Sequence, residues 1–437
     1  MIDNAAAIAV VGLGYGDEGK GSCVDYLVRC TAAAWVVRFN GGPQAAHHVV
    51  DAEKIHCFSQ FGSGTLVAGV RTFLAQSMII DPLALHNEYL ALHRIGISDA
   101  YQRLTIDPRC VIVTPFHALL NKLRETTRGT ARHGSCGMGV GEVWQDQFKR
   151  QAPLLHWQDL SNIPHLKKKL TQIQADKIAQ AETLVAENNS NLNHYLNELR
   201  LEHLSDLLTE HYSALFQHSG ITTTDVSCLN TAFQQQRTII FEGAQGVLLD
   251  KDRGFGPYVT PSDTTFNPAE SIWAEITEQP LFRVGVLRAY SVRHGTGPFI
   301  SEDSSLQLPE LHNRFSNWQG AMRVGWFDAV MARYALSACG GVHRLMLNHL
   351  DRLAGQVQIK VCTAYQNPLD QSLLERLPLP ANQAEQSQLT QQLANYLPHW
   401  QCLANHLDNY LTYIEKTLKI PINWYGMGPT AHDKIRP

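Results

Sequence analysis

Residues 12–22 read GLGYGDEGKGS and follow the apolar run Ile8–Val11. Glycines at 12, 14, 16, 19 and 21 surround the pair Asp17–Glu18 and Lys20, where a buried strand would hand over to a helix. Glycines allow positive φ angles and bring backbone N–H groups close to an anion at a helix start, whose dipole favours negative charge. Lys20 adds a point charge for a phosphate oxygen. The spacing is not that of the common P-loop, G-x-x-x-x-G-K-[ST], because Ser22 does not directly follow Lys20. A carboxylate beside phosphates is costly unless it binds a cation or moves a proton, so Asp17 reads as a magnesium ligand, a general base, or both. The competing reading is a Gly-rich turn in which Asp17 merely caps the helix.

Two further stretches carry ligand chemistry. RFNGGPQAAHHVV (38–50) follows the run Trp35–Val37, and its paired Gly41 and Gly42 can expose carbonyls or N–H groups. An ordinary tight turn, with His47 and His48 solvated or locally bonded, is the alternative. FEGAQGVLLDKDRGFGPYVTPSDTT (241–265) is a strand feeding a polar loop with Gln245 and Thr260. A Gln there offers a donor and an acceptor that match the amide edge of a heterocycle; otherwise both are surface loop residues.

The elements that must hold these loops are legible in outline. Short β-rich runs recur at Ile8–Val11, Trp35–Arg38, Met78–Ile80, Val111–Thr114, Thr238–Phe241, Phe282–Leu287 and Leu345–Leu347, with helical patterns between several of them. The alternation predicts an α/β fold with a mostly parallel central sheet and flanking helices. Residues 156–218 are rich in Leu, Gln, Asn and Glu and periodic at helical spacing, so they read as a helical excursion packed on the sheet. No repeat or Pro/Gly/Ser-rich linker divides the chain, and a single domain over 1–437 is expected.

Composition excludes several classes. The 437 residues are 44% hydrophobic with a formal net charge of −4, which gives no electrostatic case for nucleic acid or an anionic membrane. No apolar run approaches the roughly 18 to 20 residues that span a bilayer, and the first residues lack a secretory pattern. Nine cysteines without a C-x-x-C pair fit neither a zinc site nor a disulfide framework, so a reducing, cytoplasmic setting is expected.

In order along the chain, GDEGKG, the paired Gly41–Gly42 with an A-x-H remnant, SGTL (63–66), IIDPLAL (79–85), FEGAQG with its trailing P-x-VT-x-S-x-TT, AYSVRHGTGPF (289–299), RVGWFDAV (323–330) and GMGP (426–429) resemble adenylosuccinate synthetase. The resemblance is collinear over nearly the whole chain. It implies a GTP- and magnesium-dependent ligase that joins L-aspartate to the 6-position of IMP, for AMP biosynthesis. By resemblance, Asp17 takes the N1 proton of the purine so that the 6-oxygen attacks the γ-phosphate, and the 6-phosphoryl group is then displaced by the aspartate amine. The same resemblance makes Lys20 the phosphate-binding lysine beside Gly16, Gly19 and Gly21, and gives magnesium to Asp17 and the Gly42 carbonyl. It gives the nucleotide to Gln245 and Thr260, the guanine edge to Asp351 in NHLD, and GTP contacts to Gly428. Arg293 falls in the family's YSTR motif. A homodimer is expected, with Arg150 the nearest candidate for a cross-subunit arginine.

The departures are equally specific. The family's GGHNAGHT begins with a catalytic histidine; that position is Pro43, which has no proton to donate, and His47 matches the second, structural histidine. The family's TTGRPRR-x-GW carries two arginines that grip the amino-acid carboxylates; these positions are Gly320 and Met322, and Arg323 alone remains, with Arg314 nearby. GTARHGSCGMGVGE (129–142) stands where the family cradles the 5′-phosphate, leaving Ser135 and the amides of Cys136 and Gly137 as a candidate cradle or the stretch as a surface loop. His349 replaces the lysine of TKLD. Three readings follow: the full synthetase reaction, a ligase of the same mechanism with another nucleotide or amine, or a non-catalytic nucleotide-binding homologue.

Overall fold

The computed structural model describes residues 2, 5–129, 132, 134–149, 152–188, 193–306, 308, 318, 320–404 and 406–436. Strand β1 (Ala7–Gly12) is buried along its whole length, as a continuous apolar run between two parallel neighbours must be. The other strands of its sheet are β2 (Trp35–Arg38), β3 (Arg71–Leu74), β4 (Leu104–Ile106), β5 (Thr222–Thr223), β6 (Ile239–Glu242), β7 (Phe282–Arg288), β8 (Arg344–Asn348), β9 (Ile422–Gly426) and β10 (Lys434–Ile435). Their order is β10-β9-β8-β7-β1-β6-β2-β3-β4-β5, parallel throughout except for the antiparallel edge pair β9–β10. The fold is therefore the expected α/β arrangement around a mostly parallel sheet.

Five of the seven expected strand runs fall in this sheet. The other two, as Ile79–Ile80 and Val111–Ile112, pair in parallel with each other outside it. Strands β3, β4 and β9 were not expected from the sequence, because three to five residues bordered by polar ones give little periodic signal.

Helix α1 (Lys20–Thr31) follows β1 directly, and its Cys23, Val24, Leu27 and Val28 pack beneath the sheet with Ile8, Val10 and Ile240. Helices α2 (Pro115–Thr127) and α3 (Val140–Phe148) bracket the loop that includes Ser135. The excursion is helical as expected: a 3-10 turn at Trp157–Ser161, α4 (Ile163–Asn188), then Asn193–Leu199 and Leu204–His218. Leu166, Leu170, Ile173 and Tyr212 share a core with Leu120 of α2 and with Leu74, Leu104 and Ile106 from β3 and β4, which fixes the excursion to one edge of the sheet. No helix among the described residues is long and apolar enough to cross a membrane.

The loops flagged by the sequence leave the carboxyl ends of β1, β2, β6 and β8. In open parallel sheets that edge is where ligands bind, at the point where connections diverge to either side. β1 lies between β6 and β7, so its loop sits at this divergence.

Candidate active site

The loop after β1 is shaped by a carboxylate that sequence reasoning did not single out. Glu18 is 3% exposed; its Oε1 accepts the Gly14 and Gly16 amides at 2.9 Å each, and its Oε2 accepts Lys20 Nζ at 2.6 Å. Gly16 and Gly19 need their freedom at φ +101° and +86°. Gly12 is needed for space, since a Cβ there would lie 2.2 Å from Glu18 Oε2. The reading of every loop glycine as a positive-φ position is thus corrected at Gly12, Gly14 and Gly21, which are close-approach positions. Gly21 sits against His47: a Cβ on it would lie 2.9 Å from the His47 Cβ.

Asp17 does not cap α1. The helix starts at Lys20 with Gly19 as N-cap and no side-chain cap bond. Asp17 instead holds a left-handed φ of +44°, with its carbonyl accepting Arg288 Nη1 at 3.0 Å and its Oδ2 3.1 Å from His294 Nε2. Burial works against its ionisation, but the His294 hydrogen bond and the charges of His294, Arg288 and Lys20 outweigh it and hold the carboxyl below its ordinary value. The result is an acceptor that is ionised at neutral pH, about a quarter exposed and bordering open space.

That space is a cavity of about 900 Å³ bordered by Gly16, Asp17, Lys20, His47, Ser135, Gln245, Thr260, Arg293 and His294. The structure therefore brings together residues from five separate sequence stretches. Gln245 has a left-handed φ of +57°, and Thr260 is placed by its amide on Leu249 O at 2.7 Å. The loops after β1 and β6 are in contact: Leu248 N donates to Gly14 O at 3.0 Å, and a Cβ on Gly246 would fall 2.2 Å from that same oxygen. Arg293 is buried, donates to the carbonyls of Thr296 at 3.1 Å and Pro298 at 2.7 Å, and lies 4.2 Å over the Tyr15 ring.

At the proposed cradle the picture is more constrained than the sequence suggests. Glu125, fully buried at the end of α2, accepts the amides of Gly134 at 3.0 Å and Ser135 at 3.3 Å, and Ser135 Oγ donates to Asn121 at 2.9 Å. Two backbone donors of the loop are already engaged by a protein carboxylate.

Other expected site residues stand apart from the cavity. Asp351 follows β8 by three residues, and on that strand Asn348 Nδ2 donates to the carbonyls of Glu18 at 2.8 Å and Gly19 at 3.2 Å. Gly428 accepts Lys434 Nζ at 3.3 Å, and Asp351 lies within the field of that same lysine. Asn348, Lys434 and Gly428 thus form a second cluster beside Gly19, with the Asp351 charge acting on it. Gly42 heads a turn whose Ala45 amide bonds to its carbonyl at 3.2 Å. Arg323 is absent from the cavity wall: its guanidinium is paired with Glu302 and donates to the carbonyls of Gly295 at 3.2 Å and Gly297 at 2.9 Å. Arg150 and Arg314 lie outside the described residues.

His47 borders the cavity with Nδ1 2.6 Å from Glu242 Oε1, and Glu242 also accepts the Ser63 amide at 2.9 Å and the Ser63 hydroxyl. Glu242 closes β6 and is fully buried; a lone Glu at the carboxyl end of an apolar run was the signal that could have found it. Burial pushes the His47 imidazole down to about 4, against the pull of Glu242. A folded-state value below the ordinary 6.5 means the unfolded chain binds this proton more readily. Stability from this site is complete above 6.5 and drains as pH falls toward about 4, by on the order of 3 kcal/mol over the window. Thermal unfolding from pH 7.5 to 4 is expected to show a steeper loss for the wild type than for His47→Gln; parallel curves would refute the assignment.

Among the described residues, no group of three or more His, Cys, Asp or Glu side chains could hold a metal ion. The Asp17 carboxylate and a backbone carbonyl nevertheless suit a hard cation such as magnesium, which completes its shell with water and phosphate oxygens.

Comparison with known proteins agrees with this arrangement. Residues 9–435 match the adenylosuccinate synthetase family. The adenylosuccinate synthetase of Nitrosomonas eutropha is 30% identical over 446 residues, covering 98% of both chains, and that of Acidithiobacillus ferrooxidans is 32% identical over 444 residues, again covering 98% of both. The fully ligated enzyme from Plasmodium falciparum superposes with a TM-score of 0.81 at 24% identity over 99% of this chain and 100% of that one. The succinoaminodeoxyadenylate synthetase of cyanophage S-2L, bound to dGMP and dATP as an energy donor, superposes at 0.60 and 18% identity over 99% of this chain and 95% of that one. The chain belongs to the adenylosuccinate synthetase family, whose members are C–N ligases of purine biosynthesis.

Proposed function

We propose that the protein phosphorylates the 6-oxygen of IMP with GTP and then exchanges that phosphoryl for L-aspartate, giving adenylosuccinate. The observation that carries this reading is the ionised Asp17 carboxylate, facing the same cavity as Lys20 and Gln245. The carboxylate accepts the N1 proton, the ring electrons move to the 6-oxygen, and that oxygen forms its bond to the γ-phosphorus as the bond to GDP breaks. Lys20 offers a point charge to the phosphates, Gln245 and Thr260 hold the nucleotide, and Asp351 with Gly428 holds the guanine end. Asp17 would hold magnesium, which when bound neutralises charge on the phosphates; the Gly42 carbonyl that the resemblance adds as a second ligand would have to share its oxygen with the Ala45 amide. A homodimer and a cytoplasmic location accompany this reading, and particle size in solution tests the former.

A second reading keeps the mechanism and changes the amine or the nucleotide. It is favoured by Gly320 and Met322 standing where carboxylate-gripping arginines are expected, and by Arg323 being committed to Glu302 and two carbonyls. Phosphate release from purified protein with GTP, magnesium and IMP is expected to depend on L-aspartate. Release with another amine or nucleotide, and none with aspartate, would make the second reading the correct one; no release with any pair would leave a nucleotide-binding homologue.

A further inference from the structure

We infer that His294 is the positioning residue for the Asp17 carboxylate, and that it restores to the site an imidazole that Pro43 cannot provide. The inference rests on the proposed role of Asp17 as base. Asp17 is a non-glycine residue at φ +44°, a conformation that persists only where the surroundings over-determine it. Two donors do so, both from the segment running from β7 into the hairpin strand Ser291–His294: Arg288 grips the Asp17 carbonyl at 3.0 Å, and His294 Nε2 meets Oδ2 at 3.1 Å. With the backbone and one carboxylate oxygen fixed, the second oxygen is left for a substrate N–H in a defined direction. A base held this way needs no reorganisation when the purine arrives.

The surroundings of His294 are arranged for this contact. It is 23% exposed and borders the same cavity as Asp17. Its neighbour Arg293 has its guanidinium engaged by other groups, donating to Thr296 O and Pro298 O. Across the antiparallel ladder His294 faces Met322, while Arg293 faces Arg323. Met322 is the position where the family resemblance expects a guanidinium, so no fixed cation stands directly opposite the imidazole. The exchange at 322 and the imidazole at 294 are therefore neighbours in one ladder, next to the base, while the catalytic histidine that the family resemblance places at 43 is proline.

The test uses wild type, His294→Ala and His294→Gln in two assays: steady-state turnover, and exchange of oxygen-18 between the β,γ-bridge and the β-nonbridge positions of GTP with IMP and magnesium but no amine. The exchange isolates phosphoryl transfer. His294→Ala is expected to lower both exchange and kcat by about 10- to 100-fold, the range for removing a group that orients a reacting one, with KM for IMP changed less than about threefold. Gln, whose amide nitrogen reaches close to the place of Nε2, is expected to recover at least about half of that loss on a logarithmic scale. An alanine variant equal to wild type, a glutamine variant no better than alanine, or a loss confined to KM would each overturn the inference. If alanine fails to fold, His294→Leu, which keeps bulk without a donor, takes its place, and leucine exchange equal to that of glutamine would overturn the inference. Wild type lacking both exchange and turnover would remove the proposed function and this inference together; wild-type exchange with an indifferent alanine variant would remove only the inference.

Discussion

Asp17→Asn is expected to reduce turnover by about 10²- to 10⁴-fold while the affinity for the nucleotides changes only a few-fold. Asn keeps the size of the side chain and a carbonyl acceptor for His294 Nε2, so the left-handed turn at φ +44° and the Arg288 contact to the backbone survive. What disappears is the capacity to take a proton. Because the carboxyl lies below its ordinary value, the wild type is fully ionised across neutral pH. Its activity should therefore stay level as pH falls from 7.5 to 5.5 so far as this group is concerned. Equilibrium binding measured alongside steady-state kinetics separates the two effects. Near-normal turnover in the Asn variant would remove Asp17 as the base, and a matching loss of binding would make it a ligand-holding residue instead.

The second large effect is expected at Glu18. Glu18→Ala removes the acceptor of the Gly14 and Gly16 amides and leaves Lys20, 3% exposed, as a buried cation without its 2.6 Å partner. Breaking a buried pair from one side costs about 3–5 kcal/mol, because the remaining charge is uncompensated. For a chain of this size, that is a fall of several degrees in the thermal midpoint. Glu18→Gln retains one acceptor for the amides and should fall in between. Calorimetry of the three proteins checks the order, and an alanine variant as stable as wild type would mean that the loop keeps its shape by other means. GTP binding should weaken in parallel, since the loop amides lose the group that aligns them.

The sequence was most legible where one residue type serves one purpose. The short β-rich runs at Ile8–Val11 and Trp35–Arg38 read as strands of a mostly parallel sheet, and both are buried parallel strands. The excursion over 156–218 was helical because its periodicity was sustained over many turns. Asp17, Lys20, Gln245 and Thr260 converge on one cavity as their loop positions implied. What could not be read were side chains whose meaning comes from partners far along the chain. Glu242 is defined by His47 and Ser63, nearly two hundred residues away, and His294 by Asp17. Arg323 looked free to bind a carboxylate because nothing local shows that Glu302 and two carbonyls claim it. Glu18 was hidden for another reason: beside an acidic neighbour in a phosphate-type loop, it looked like part of the same function, whereas it is the internal anion that folds the loop.

The contact between Gly246 and the carbonyl of Gly14 has an evolutionary consequence. With no room for even one carbon atom between them, the two loops form a single mechanical part assembled from chain segments more than two hundred residues apart. Neither loop can lengthen or change course alone. An insertion in either therefore has to be matched by a change in the other, at the opposite end of the sequence interval that separates them.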